Sequence, residues 1–526
     1  MKTKLPKTVI FLWLMVTSIA IVACGRQEQE PIEVPAGAQA GDLTMEPCLL
    51  ELGQASFQAE CGVLVVPENR SDPRSRLIAL PVLRLPASGP AAPEPIFFLA
   101  GGPGASNIMG AGAPPEWMWA KHDLVAVGYR GADGSAILDM PEVDEAMKGV
   151  GGDLLSEESL ANVTEAFARG AARLQAEGVD LAGYTIPEVV ADMEAARAAL
   201  GYERINLFSH SYGTRIAQIY AYLYPDSLYR SVQLAVNPPG RMVQEPEMID
   251  AQFERVAELC AQDPVCSART DDLAETIRYV AHNMPKRWLF LPIDPGKVKV
   301  NTFLNLDTPG ANATLYDAFI AAEDGDASGL ALASLAYDFF LPDQIWGDSF
   351  AKAASADYDP VRNYGAELDP ADSVMGSPYG LLLWSSAGAW PVAPIPAGLR
   401  QPQYTDVETL LISGSIDFLT PPQYATGELL PYLNRGRQVI MAEHGHNDVY
   451  IQNEALGHLA LSFYETGVGD DSLITYHPMD FQVQVNFPTI AKIGVGVVLL
   501  LVAGLVALGW LIVRKVRRER PRTPLQ

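Results

Sequence analysis

The stretch RINLFSHSYGTRIAQIYAYLYPD, residues 204–226, carries two serines two positions apart, Ser209 and Ser211. A serine hydroxyl becomes a nucleophile only when a base takes its proton and a carboxylate orients that base. Such a serine is presented by a sharp strand-to-helix turn, whose crowding requires small residues two before and two after it. Ser211 meets that rule with Ser209 and Gly213, whereas Ser209 would put Leu207 in the crowded place. Ser211 is therefore the candidate nucleophile, with Ser209 standing where glycine is usual.

The partners should follow in the order acid, then histidine. TLLISGSIDFLTPP ends an apolar strand in a turn carrying Asp417, and VIMAEHGHNDVY ends another in a loop carrying His446. Gly445 is expected to let His446 approach the serine, and His444 is expected to be a solvated loop residue. An H-x-H metal pair would need further ligands, and none is near in sequence. Acyl transfer also needs backbone N–H groups aimed at the developing oxyanion. Those of Gly102, in FFLAGGPGAS, and of Tyr212 are the expected donors. A phosphate loop is disfavoured because the glycines lack a lysine and the G-x-G-x-x-G spacing. Glu245 and Glu247, in QEPEMIDAQFERV, could pair with a substrate ammonium, although a solvated acidic helix face reads the same way. This chemistry requires no cofactor and no metal.

These side chains need a scaffold. GVLVVPE, LIALPVLRLP, PIFFL, DLVAV, INLF, SVQLAV and TLLISG are short, β-branched, nearly unbroken apolar runs. Such runs suit strands buried on both faces, hence a mostly parallel sheet flanked by helices. EESLANVTEAFARGAARLQAEG and IPEVVADMEAARAALGY have helical spacing. About 170 residues separate SVQLAV from TLLISG, too many for a crossover. They are read as a mainly helical cap over 237–404, inserted between core segments 47–236 and 405–468.

With these parts in order, the chain resembles the α/β-hydrolase serine peptidases of the prolyl aminopeptidase and tripeptidyl aminopeptidase group. LAGGPG is similar to that group's H-G-G-P-G segment, with Ala100 in place of histidine. The block YTIPEVVADMEAARAALGYERINLFSHSYGTRIAQIYAYLYPDSLYRSVQL resembles the one that bears its nucleophile. CGVLVVPENR and SGSIDFLTPP are similar to its first strand and its acid-bearing turn. GYRGADGS replaces the usual D-Q-R-G-x-G-x-S, and Ala235 stands where an acidic residue is usual. The resemblance covers roughly residues 48–465. It implies an α/β-hydrolase fold, a triad of Ser211, Asp417 and His446, and removal of N-terminal residues or short peptides. A carboxylesterase or lipase would use the same triad on a small ester. A catalytically silent binding protein would have no need to keep all these pieces in order.

At 48% hydrophobic and 9% aromatic over 526 residues, the chain can bury a large core. Its net charge of −26, with basic residues concentrated at both ends, disfavours nucleic acid as a partner. The start, MKTKLPKTVIFLWLMVTSIAIVACG, reads as a signal peptide over 1–23, with Cys24 as a lipid acceptor. A spacer over 24–46 follows. Near the other end, a linker over 469–492 leads to the uncharged run 493–513, expected to be a transmembrane helix about 31 Å long. The basic tail 514–526 should lie in the cytoplasm, leaving the catalytic part on the extracytoplasmic face of a bacterial cytoplasmic membrane. In that compartment Cys48 with Cys61, and Cys260 with Cys266, are expected as disulfides.

Overall fold

The computed structural model describes residues 32–519, apart from 53–54, 109–113, 308, 341–343 and 484–485. The expected signal peptide, Cys24 and the end of the basic tail (520–526) lie outside the described residues. Among those described, nine strands form one sheet: β1 (Leu43–Leu52), β2 (Ala55–Pro67), β3 (Leu77–Leu85), β4 (Ile96–Leu99), β5 (Leu124–Val127), β6 (Ile205–His210), β7 (Leu228–Leu234), β8 (Glu408–Gly414) and β9 (Gly436–Met441). Their spatial order is β1-β2-β3-β5-β4-β6-β7-β8-β9. The first three strands and the β3–β5 pair are antiparallel, and from β5 through β4 to β9 every pairing is parallel. β1 begins inside the expected spacer and pairs with β2, where the Cys48–Cys61 disulfide ties the hairpin.

The apolar runs are strands because both sheet faces are covered. Leu207 belongs to one core together with Tyr212, Ile216, Ile186 and Val190. Its neighbour Phe208, facing the opposite way, belongs to another with Leu234, Leu410, Leu456 and Phe463. The flanking helices obey their end signals. Ser156 caps α1 (Glu157–Ala176), and Gly201, at φ 79°, closes α2 (Ile186–Leu200) in a left-handed turn. α3 (Tyr212–Leu223) leaves β6 directly. In a parallel sheet the strand ends share one edge, so β6, β8 and β9 deliver their following loops to the same place.

Between β7 and β8 the chain is mainly helical, with α4 (Pro246–Gln262), α5 (Leu273–His282), α6 (Pro295–Asn305), α7 (Pro309–Glu323), α8 (Ser328–Phe340) and α9 (Trp346–Asp357). This segment has its own core around Phe253, Ile277, Phe303, Phe319 and Leu330. The Cys260–Cys266 disulfide closes the end of α4. Arg215, fully buried on α3, binds the segment down: it donates to both carboxylate oxygens of Asp357 at 3.0 Å and to Asn237 Oδ1 at 3.0 Å.

The last helix, Phe487–Glu519, starts six residues before the run expected to span a membrane. Asn486 caps it by accepting from Thr489 N–H at 2.9 Å, and Pro488 in its first turn suits a helix start. Lys492 pairs with Asp326 at 2.5 Å, fixing the helix root beside α8. Beyond it lies a side-chain surface open to the surroundings, as at Leu500 and Leu505, and Phe487–Lys515 is long and apolar enough to cross a membrane.

Arg130, in the altered GYRGADGS turn, is wholly buried and holds that turn. It donates to Asp192 at 2.6 and 2.7 Å and to the Glu68 carbonyl at 2.6 Å. Removing one partner of a buried pair strands the other charge. Arg130→Met should therefore cost about 3 kcal/mol in urea unfolding, the low end of that effect. The low end applies because Arg70 still faces Asp192 at 2.7 Å. A loss below about 1 kcal/mol, the scale of an exposed pair, would contradict this.

Candidate active site

Ser211 sits between β6 and α3 with φ 53° and ψ −123°, a backbone state that L-residues rarely hold. The bend is possible because Gly213 has no side chain: a Cβ there would lie 2.4 Å from the Leu99 carbonyl oxygen. Ser209 is buried, and its hydroxyl donates to the Val232 carbonyl at 3.1 Å, so it is committed to β7. Ser211 Oγ instead lies 2.9 Å from His446 Nε2.

His446 Nδ1 lies 2.9 and 3.1 Å from the two carboxylate oxygens of Asp417. With Nδ1–H donating to Asp417, Nε2 is left to accept the Ser211 proton. Asp417 is fully buried. Burial pushes its carboxyl up, but His446 and the surrounding donors outweigh that and hold it below the ordinary carboxylate value. Those donors are Leu419 N–H and Thr420 N–H, each at 2.8 Å, and the Thr420 hydroxyl at 2.7 Å. Thr420 Oγ1 is also 3.1 Å from His446 Nδ1. Sequence reading missed Thr420, though a threonine three residues after an aspartate in a turn is a pattern that satisfies the carboxylate.

His210 was missed too. It precedes Ser211, its Nε2 bonds the His446 carbonyl at 3.2 Å, and its ring faces those of His446 and Tyr450. Burial and the neighbouring His446 push its pKa down to about 3, so it stands neutral.

Two expectations about the histidine loop are corrected. His444 is buried, not solvated: its Nδ1 bonds the Ala442 carbonyl at 2.8 Å and its Nε2 meets Gln452 Nε2 at 3.1 Å. Gly445 does not make room for the serine. A Cβ there would lie 2.8 Å from the Asp307 carbonyl oxygen, so its bareness admits the helical segment instead.

Gly102, at φ 134°, and Tyr212, the first residue of α3, both line the cavity beside Ser211. An N–H at the first helical position has no partner within its own helix, which leaves that of Tyr212 available. The cavity measures about 380 Å³, and its lining includes the apolar Met242, Phe350, Leu383 and Trp384 and the Asn237 and Gln344 amides. Glu245 and Glu247 are not brought to it. Glu245 forms a two-bond pair with Arg362 at 2.9 and 3.0 Å, and Glu247 is exposed on α4.

His210 carries a pH signature. Unfolded, it binds a proton below about 6.5; folded, it does so only near 3. The unfolded state therefore holds the extra proton in that window, and stability falls as the pH drops through it. Urea unfolding at pH 7.5 and 5.0 should show wild type losing more stability than His210→Gln. Equal losses would contradict a neutral buried His210.

The profile of the alpha/beta hydrolase fold family matches residues 168–451. Serine protease Hip1 of Mycobacterium tuberculosis is 28% identical over 235 residues, 40% of this chain and 44% of that one. Tripeptidyl aminopeptidase of Streptomyces coelicolor is 27% identical over 195 residues, 35% of this chain and 36% of that one. The match thus spans less than half the length of either relative. On the family match, which covers more than half of its length, the chain belongs to the α/β-hydrolase fold family.

Proposed function

We propose that the protein is a serine hydrolase working through an acyl-enzyme, with Ser211 as nucleophile, His446 as base and Asp417 as the orienting acid. One observation carries this reading: an unbroken chain of contacts at 2.9 Å from Ser211 Oγ through His446 to Asp417. His446 Nε2 takes the Ser211 proton as Oγ attacks a carbonyl carbon, and Asp417 stabilises the imidazolium. The new oxyanion is met by the N–H groups of Gly102 and Tyr212. His446 then delivers the proton to the leaving group, and water releases the acyl group by the same steps in reverse order. The helical segment 237–404 acts as a cap over the cavity.

The substrate is a peptide cut near its N-terminus, a reading supported by the similarity to a protein named tripeptidyl aminopeptidase. A second reading, an esterase for apolar acyl groups, is favoured by the apolar wall of Phe350, Leu383 and Trp384 and by the engagement of Glu245 with Arg362. The enzyme works at the outer face of a bacterial cytoplasmic membrane, tethered by the Phe487–Lys515 helix and by a lipid on Cys24. Two disulfides and the basic residues after the helix support this orientation.

Ser211→Ala should lower kcat on the order of 10⁶-fold, while Ser209→Ala keeps most activity because its hydroxyl only bonds β7. Equal loss in both variants would contradict the assignment. Tripeptidyl and aminoacyl arylamides, with and without N-acetylation, assayed beside p-nitrophenyl esters, separate the substrate readings. Arylamide turnover that acetylation abolishes is expected; turnover of esters alone would overturn the aminopeptidase reading in favour of the esterase.

A further inference from the structure

The glycine-rich loop after β4 is gripped from two sides. On the sheet side, Asn107 Oδ1 accepts from Ala100 N–H at 2.7 Å, and Asp133 accepts from Ser106 Oγ at 2.5 Å and from Asn107 N–H at 2.9 Å. On the other side the grip comes from the helical segment. Gly104 N–H donates to Asp348 Oδ2 at 3.1 Å, Ile345 N–H donates to the Gly104 carbonyl at 2.9 Å, and Gln344 Nε2 donates to the Pro103 carbonyl at 2.8 Å. Contact is close enough that a Cβ on Gly104 would lie 2.7 Å from Gln344 Cγ, and one on Gly131 would lie 2.5 Å from Asp348 Oδ1.

Asp348 and Lys352 sit one turn apart on α9, and both are wholly buried. Lys352 Nζ bonds Asp348 Oδ1 and also donates to the Arg130 carbonyl at 3.0 Å. Burial pushes the Asp348 carboxyl up to about 6, against the pull of the neighbouring ammonium. A buried pair of this kind is a poor source of stability, since both charges lose their hydration. Its placement, with one oxygen on the ammonium and the other on the glycine loop, suits a different role.

We propose that Asp348, held by Lys352, is a positioning residue for the oxyanion hole: by fixing Gly104 N–H it fixes the Gly102 N–H two residues away. The proposal rests on the acyl-enzyme reading and on Gly102 as an oxyanion donor. The cap thereby completes the catalytic centre as well as covering it. Deleting an oxyanion donor outright lowers kcat about 10²- to 10³-fold, so a donor left in place but loosely held should lose about tenfold.

Two full-length double variants isolate the Gly104 hydrogen bond from the buried charge. Asp348→Asn/Lys352→Met keeps an oxygen for Gly104 N–H, and Asp348→Leu/Lys352→Met removes it. Both lack the ion pair. With p-nitrophenyl butyrate, kcat of the leucine double should be about tenfold below that of the asparagine double, with KM within about twofold. Phenylboronic acid, whose adduct on Ser211 places an oxygen in the oxyanion hole, should weaken by the same factor. If the leucine double does not fold, Asp348→Ala/Lys352→Met takes its place. Equal kcat and equal boronate affinity in the two doubles would overturn the proposal alone. A wild-type protein that neither hydrolyses the ester nor binds the boronate would overturn the hydrolase reading, and the proposal with it.

Discussion

The contact between α3 and the end of β4 constrains everything around it. Gly213 has no side chain, so the first turn of α3 presses against the Leu99 carbonyl, leaving no room for a methyl group. That closeness accompanies the φ of 53° at Ser211, whose place between β6 and α3 sets it at the edge of the sheet. It also joins two segments that lie a hundred residues apart in sequence. Gly101 lies two residues past the end of β4, and a Cβ on it would lie 3.3 Å from that of Ser211. Ser211 and the glycine loop are therefore parts of one packed joint.

Around that joint the buried charges of Asp417, Arg215 and Asp348 are engaged. Asp417 is stripped of water yet held ionised by His446 and by three donors from its own turn. His210, pressed under the histidine loop, stays neutral and adds no competing charge. Arg215 reaches from α3 to Asp357, and Asp348 accepts from the Gly104 N–H, so the same helix of the inserted segment is bound both to α3 and to the glycine loop. In a low-dielectric site such fixed groups act more strongly than they would in water. The insert is thus mechanically continuous with the sheet edge where Ser211 stands.

Much of this was legible in the sequence where a local rule applied. The crowding rule separates Ser211 from Ser209, and the structure gives the latter a hydrogen bond inside β7. Apolar runs without alternation announced a sheet covered on both faces. What stayed illegible depends on partners distant in the chain. Nothing near Gly445 reveals Asp307, 138 residues earlier. Glu245 looked available because Arg362, its partner, lies 117 residues away. The start of the last helix was missed for another reason: Asn486 and Pro488 are end signals, but the apolar run that drew attention begins later.

The central claim is that Ser211, His446 and Asp417 act as one nucleophilic unit. Peptide mass mapping after reaction with a fluorophosphonate tests it most directly. A single phosphonyl adduct should form on the peptide holding Ser211, be absent from Ser211→Ala, and form far more slowly in His446→Ala. An adduct that persists in Ser211→Ala, or a His446→Ala variant that labels as fast as wild type, would contradict the account.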